Sequence, residues 1–266
     1  MRQLLRNWVV MALLAAVVGA AQAREELVEV KGREGVRQLA LLTFEPDTKP
    51  FAVVVLLAGG GGKYDFQSGT SGIRMLGALR LPNQLRPLLL QRGIASWMVD
   101  SPSDRPEMDD AFRGGKEHLA DLRAVLAASA ARFLAVPVVV VGHSNGSMSA
   151  TYLAAGAPDQ LKSVILVSGR LVASPTFGDG LGKFDWSTIT MPLTLIHHKK
   201  DDCFTTPYSG AAELAAKVPR FDLVTIDPEG SLASGGCSTS NGTHNLLGQE
   251  AAVADAIAAV AKEVSR

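Results

Sequence analysis

Apolar residues fall along this chain in short, nearly continuous runs, at 51–58, 94–99, 136–141, 164–167, 193–196 and 223–226. Runs of this length without polar alternation predict strands buried on both faces, the central strands of a parallel sheet. Segments with helical spacing lie between them. The clearest is 116–133, where Leu119, Leu122, Val125 and Leu126 recur on one side against Glu117, Asp121 and Arg123; the others are 83–91, 146–155, 207–218 and 246–264. Ahead of the first run, 27–30 and 36–44 are rich in Val and Leu and are separated by Gly32-Arg33-Glu34-Gly35, which predicts an opening hairpin. Strand and helix thus alternate. The expected fold is α/β, a doubly wound and mostly parallel sheet with helices on both faces. No linker, repeat or low-complexity tract divides residues 24–266, which are expected to form one domain, and the Gly-rich pieces 59–62 and 234–242 stand out as loops.

The first 23 residues read differently. Arg2 and Arg6 lead an apolar run over 8–21, followed by Ala21-Gln22-Ala23. A charged start, an apolar stretch and a small-residue site predict a secretory signal cleaved after Ala23, and hence a periplasmic or secreted protein. The run is shorter than the roughly 20 residues a spanning helix needs, and no other segment supplies one, so stable membrane insertion is not expected. The composition, 47% apolar and 20% charged, is that of a globular domain with a large core. Basic and acidic residues balance at 26 each, and no basic stripe with interleaved aromatics appears, so a nucleic-acid partner is not expected.

The chemistry concentrates at Val138-Val139-Val140-Val141-Gly142-His143-Ser144-Asn145-Gly146. Here a buried strand runs into Gly-x-Ser-x-Gly and then into a helix. In that context Ser144 stands on a tight turn, and Gly142 and Gly146 lack side chains because neighbouring backbone passes close. A serine hydroxyl is a poor nucleophile unless a base takes its proton, and the chain has only five histidines. His118 lies inside a helix, His143 is buried in the turn itself, and His197 and His198 end a strand on opposite faces. His244 is left, in a Gly/Ser/Asn loop after the last strand run. The third member should be a carboxylate at a strand end between Ser144 and His244, where Asp201 and Asp202 stand side by side. The anion formed at the attacked carbonyl needs at least two aimed donors. One is the amide of Asn145. The other falls in the glycine run, with Gly60 preferred and Gly61 next.

The strand pattern, Gly-His-Ser-Asn-Gly, the acid after the penultimate strand run and the late histidine resemble the α/β-hydrolase superfamily across 24–266. That resemblance favours Asp201 over Asp202, since such hydrolases usually read His-Gly-x-x-Asp here and Asp201 stands at that spacing from His197. Two departures are His198 in place of the usual glycine and an oxyanion loop without a leading histidine. The resemblance implies hydrolysis of an ester, thioester or amide through an acyl-enzyme, on a small-molecule substrate and without a cofactor. Because the nucleophile is Ser rather than Cys or Asp, similarity to dienelactone hydrolases or haloalkane dehalogenases is confined to the fold. An acyltransferase, or a non-catalytic ligand-binding protein on the same fold, is the alternative. The stretch between the runs ending at Val167 and starting at Leu193 is short, so any lid is small and built around Phe177, Phe184 and Trp186.

Two further motifs weigh less. Gly59-Gly60-Gly61-Gly62-Lys63 is like a phosphate loop, yet Leu57 takes the place of its first glycine and Tyr64 that of the Ser/Thr. The adjacent His197 and His198 point to opposite faces of a strand and do not converge on one metal ion. The two cysteines, Cys203 and Cys237, allow one pairing. An exported chain meets an oxidising compartment, and a working Asp201–His244 pair draws their two loops together, so a disulfide is expected.

Overall fold

A computed structural model of the protein describes residues 23–70, 72–77, 80–174, 176, 178–229, 236–237 and 242–266. Residues 1–22 of the expected signal, Phe177 and most of the 234–242 loop lie outside them. In chain order the elements are β1 (Arg24–Lys31), β2 (Arg37–Phe44), β3 (Ala52–Leu57), β4 (Phe66–Gly69), β5 (Gly72–Met75), α1 (Arg80–Leu90), β6 (Ile94–Val99), α2 (Asp110–Arg113), α3 (Lys116–Arg132) and β7 (Val138–His143). There follow α4 (Gly146–Gly156), β8 (Ser163–Val167), β9 (Leu193–His198), α5 (Gly210–Ala215), β10 (Phe221–Ile226) and α6 (Glu250–Val264). Eight strands form one sheet in the order β1-β2-β6-β3-β7-β8-β9-β10. The opening hairpin is antiparallel, as is β2 against β6; from β6 to β10 every pairing is parallel.

The nearly continuous apolar runs of the inner strands are explained by where their side chains go, whereas the run at 223–226 lies on the edge strand β10 and is partly exposed. Val53, Val55 and Leu57 of β3 and Val138 and Val140 of β7 enter one core, while Val54, Leu56, Val139 and Val141 enter another on the opposite face. The period of two is there, but both faces are covered, so no polar alternation marks it. The first core is closed by Leu122, Val125 and Leu126 of α3, Met148 and Leu153 of α4, and Ala211 and Leu214 of α5. The second is closed by Leu81, Leu85 and Leu89 of α1 with Val253, Ala254, Ile257 and Ala261 of α6.

Several boundaries move, each for a stereochemical reason. The last helix begins at Glu250 rather than at 246, because Leu246 and Gly248 hold positive φ angles of 52° and 77° that a right-handed helix does not admit. The strand read from 136 begins at Val138, after Ala135 at φ 57° and Pro137, which has no N–H for the ladder. The helix read over 207–218 shortens to Gly210–Ala215; its entry is made of i to i+3 turns from Pro207, Tyr208 and Ser209. The antiparallel pair β4–β5 and the single-turn α2, capped by the Asp109 carboxylate on the Phe112 N–H at 2.8 Å, carry too little apolar pattern to be read from sequence.

Candidate active site

Ser144 sits at the turn from β7 into α4 with φ 52°, left-handed backbone that a non-glycine residue adopts only under outside constraint. The constraint is close packing. A Cβ on Gly142 would stand 2.3 Å from the Gly146 carbonyl oxygen, and one on Gly146 would stand 2.2 Å from that of Leu57. The N–H of Ser144 donates to Val167 O at 3.0 Å, and its own carbonyl accepts from the Ser147 hydroxyl at 2.6 Å. The turn is therefore pinned to β3 on one side and β8 on the other, with the serine side chain left over the sheet's carboxyl edge.

Three elements converge there. His244 Nε2 lies 3.1 Å from Ser144 Oγ, and His244 Nδ1 lies 3.1 Å from Asp201 Oδ2. An Nδ1 proton facing the carboxylate leaves the Nε2 lone pair facing the hydroxyl. Asp201 follows β9 and is buried; Asp202, its neighbour, is exposed. The Asp201 carboxylate takes more than the imidazole. Oδ2 also faces His197 Nε2 at 3.0 Å and the Thr206 hydroxyl at 3.1 Å, while Oδ1 accepts from the Cys203 N–H at 3.0 Å. Burial alone would raise this acid, but hydrogen bonds from His197 and then His244, with the Cys203 amide, hold it well below the usual carboxylate range. Thr206 Oγ1 lies 3.0 Å from His244 Nδ1 as well, alongside the imidazole–carboxylate contact.

His143 packs behind His244. Its Nε2 is 3.3 Å from the His244 carbonyl and the two rings lie 5.3 Å apart. Burial, and then the neighbouring His244, push His143 down to about 3, so it stays neutral. The His244 loop is tied further by the Thr243 hydroxyl on Lys200 O at 2.8 Å and by Leu246, fully buried in the second core. A disulfide joins Cys203 to Cys237 across a sequence separation of 34, linking the segment of Asp201 to the one that leads into His244. A cross-link over a loop of this length removes denatured-state entropy equivalent to about 3–4 kcal/mol. Reduction is therefore expected to lower the melting temperature, and Cys203→Ser and Cys237→Ser are expected to reproduce the loss without adding to one another. Calorimetry of the single and double variants checks this; additive losses would contradict it.

The glycine run faces the serine. A Cβ on Gly59 would stand 2.7 Å from Ser144 Cβ, so only glycine permits this approach. Gly60 follows, exposed and at φ 53°. Its carbonyl is turned inward onto Arg113 and the Asn145 side chain. Phe184 and Trp186, read from sequence as parts of a lid, pack elsewhere. Phe184 makes edge contacts with Tyr152 of α4 at 5.1 Å and with the buried Trp186 at 5.0 Å, so these rings extend the first core. Large apolar side chains exposed close in sequence to the site residues are instead Phe204, next to Cys203, and Leu247, three residues past His244.

Thr206, Arg113 and the part played by His197 carry no signal in the sequence, since each depends on a tertiary contact. Among the described residues no cluster of His, Cys, Asp and Glu is arranged to hold a metal ion, and no helix is long and apolar enough to cross a membrane.

No family model matches the chain, and neither does any curated protein. Solved structures do. A dienelactone hydrolase from Anabaena variabilis superposes with a TM-score of 0.65 at 18% identity, covering 91% of this chain and 98% of its own. A cold-adapted esterase from an Arctic intertidal metagenomic library gives 0.60 at 19% identity, over 90% and 93% of the two chains. A lidless α/β serine hydrolase from Xanthomonas campestris gives 0.60 at 15%, over 90% and 94%. With this strand order, a serine on the turn after its central strand, and neighbours of these kinds over nine-tenths of its length, the chain has the α/β-hydrolase fold.

Proposed function

We propose that the protein is a serine hydrolase of carboxylic esters that works through an acyl-enzyme. The observation that carries this reading is the unbroken path from Ser144 Oγ through His244 to Asp201 Oδ2, with 3.1 Å at each step. In the proposed reaction His244 Nε2 takes the Ser144 proton as Oγ attacks the ester carbonyl, and Asp201 stabilises the imidazolium so formed. The tetrahedral oxyanion is met by the backbone N–H groups of Asn145 and Gly60. Collapse expels the alcohol, which leaves with the proton from His244. Water then enters, gives a proton to His244 and its oxygen to the acyl carbon, and as the acyl–Oγ bond breaks His244 returns that proton to Ser144 Oγ and the carboxylic acid departs.

The neighbours named as esterases support an ester substrate. Thioesters and amides proceed through the same intermediate. We further propose that the protein acts outside the cytoplasm, in the periplasm or secreted; the charged and apolar leader ending at Ala23 and the disulfide support this placement. The direct test is a fluorophosphonate on the folded mature protein, followed by peptide mass spectrometry. One adduct on Ser144 is expected. Label on another residue, or none, overturns the reading.

A further inference from the structure

A run of four glycines is a loose platform from which to aim hydrogen bonds, since glycine loses more backbone freedom on ordering than any other residue. Two backbone bonds frame residues 59–62: Gly62 N–H to Gly59 O, and Met108 N–H to Gly61 O, both 3.0 Å. The centre is held by side chains from elsewhere. The Gly60 carbonyl accepts from Arg113 Nη2 at 2.8 Å and from Asn145 Nδ2 at 3.2 Å, and the same Nη2 is 3.3 Å from Ala58 O.

Both side chains are themselves fixed. Arg113 ends the short helix α2 and is 1% exposed. Its partners among the described residues are those two carbonyls and the Ser149 hydroxyl, 2.8 Å from Nη1, and none of them is a carboxylate. Ser149 Oγ also meets His118 Nε2 at 2.9 Å. Burial, then the charge of Arg113, pushes His118 down to about 3, so the guanidinium faces a neutral ring. Asn145 Oδ1 accepts from Arg170 Nη1 at 3.2 Å, and Arg170 in turn is paired with Asp110 at 2.6 Å. A guanidinium buried against two carbonyls and a hydroxyl, with no carboxylate among its hydrogen-bond partners, is costly to desolvate.

We infer that Arg113 and the side chain of Asn145 are positioning residues for the oxyanion loop, locking the Gly60 carbonyl inward so that the loop's N–H groups stay aimed at the carbonyl bound at Ser144. This rests on the serine-hydrolase reading above. The peptide after Gly60 is planar and trans, so turning its oxygen inward sends the Gly61 N–H to the opposite side. Donors on that oxygen also polarise the peptide and strengthen its N–H as a donor. Asn145 then serves twice. Its backbone N–H is one proposed donor, and its amide group fixes the Gly60 carbonyl and so the Gly60–Gly61 stretch of the loop that carries the other, which ties both donors to a single network.

The test is steady-state kinetics of Asn145→Ala and Arg113→Lys on p-nitrophenyl butyrate and on its thiono analogue, whose sulfur is a weaker acceptor and sits farther from the carbon. Asn145→Ala keeps the backbone N–H, and a lysine cannot span both carbonyls and Ser149. Each variant is expected to lose about 10- to 100-fold in kcat on the oxygen ester with KM within about threefold, short of the 10²–10³ for a whole donor removed. The preference for the oxygen ester over the thionoester is expected to narrow in both. Thr206→Val, which touches Asp201 and His244 but not the loop, is expected to slow both substrates equally. A kcat unchanged in the two variants, a loss without a change in that preference, or the same change in Thr206→Val overturns the brace while leaving the hydrolase reading standing. Wild-type protein that neither turns over the ester nor takes up fluorophosphonate at Ser144 overturns the hydrolase reading, and the brace with it.

Discussion

Ser144→Ala is expected to lower ester turnover by about five to six orders of magnitude, the loss typical when the nucleophile of a serine triad is deleted. The variant is also expected to fold as the wild type does. Only one hydroxyl is removed, and the contacts that hold the turn, the Ser144 N–H on Val167 O and the Ser147 hydroxyl on Ser144 O, belong to the backbone. Alanine tolerates the positive φ of 52° no worse than serine. Circular dichroism and a melting curve beside the kinetics separate lost chemistry from lost fold. A Ser144→Ala protein retaining more than about a hundredth of wild-type turnover would mean that another group carries the reaction.

Asp201→Asn is expected to cost about four orders of magnitude in kcat. Every oxygen of this carboxylate faces a donor: Oδ1 takes the Cys203 N–H, and Oδ2 takes His197, His244 and Thr206. Whichever way an asparagine turns, its NH₂ meets an N–H or an O–H. If the NH₂ faces His244, the imidazole must present Nδ1 as acceptor and carry its proton on Nε2, where it can no longer receive one from Ser144. If it faces Cys203, a buried amide loses its acceptor and the 201–206 segment, with Thr206 and the disulfide, is disturbed. Loss of activity and of a few degrees in melting temperature are therefore expected together. Asp202→Asn, at an exposed position, is expected to stay within about twofold of wild type. The reverse ranking would move the acid by one residue.

The parts of the molecule legible in the sequence are those written in local pattern. The buried strands announce themselves because both faces are covered, so Val53 to Leu57 and Val138 to Val141 are apolar at every position. The serine turn is legible because its geometry demands glycine at two fixed places. The cysteine pairing follows from there being only two. Helix ends were less legible, since the positive φ of Leu246 leaves no mark on residue type. Phe184 and Trp186 could be read as a cover or as core, and only the position of Tyr152 decides between them. Least legible were the supports of the site. Arg113 stands on a helix of one turn, 31 positions before the serine whose surroundings it shapes, and nothing in its neighbours hints at a buried guanidinium.

The three side chains of the site are widely spaced in the order they are made: Ser144 first, Asp201 later, and His244 100 positions after the serine. While the chain emerges from a ribosome, the serine turn can form on β3, β7 and β8 before His244 exists to stand beside it. Such a half-made protein holds an inert hydroxyl, harmless to the esters around it. On the proposed mechanism its reactivity begins only when the late segment docks, through Leu246 in the second core and Cys237 on Cys203. Ester turnover during refolding would therefore time the final docking of that segment, whereas fluorescence from Trp97 and Trp186, both buried in the first core, follows formation of that core.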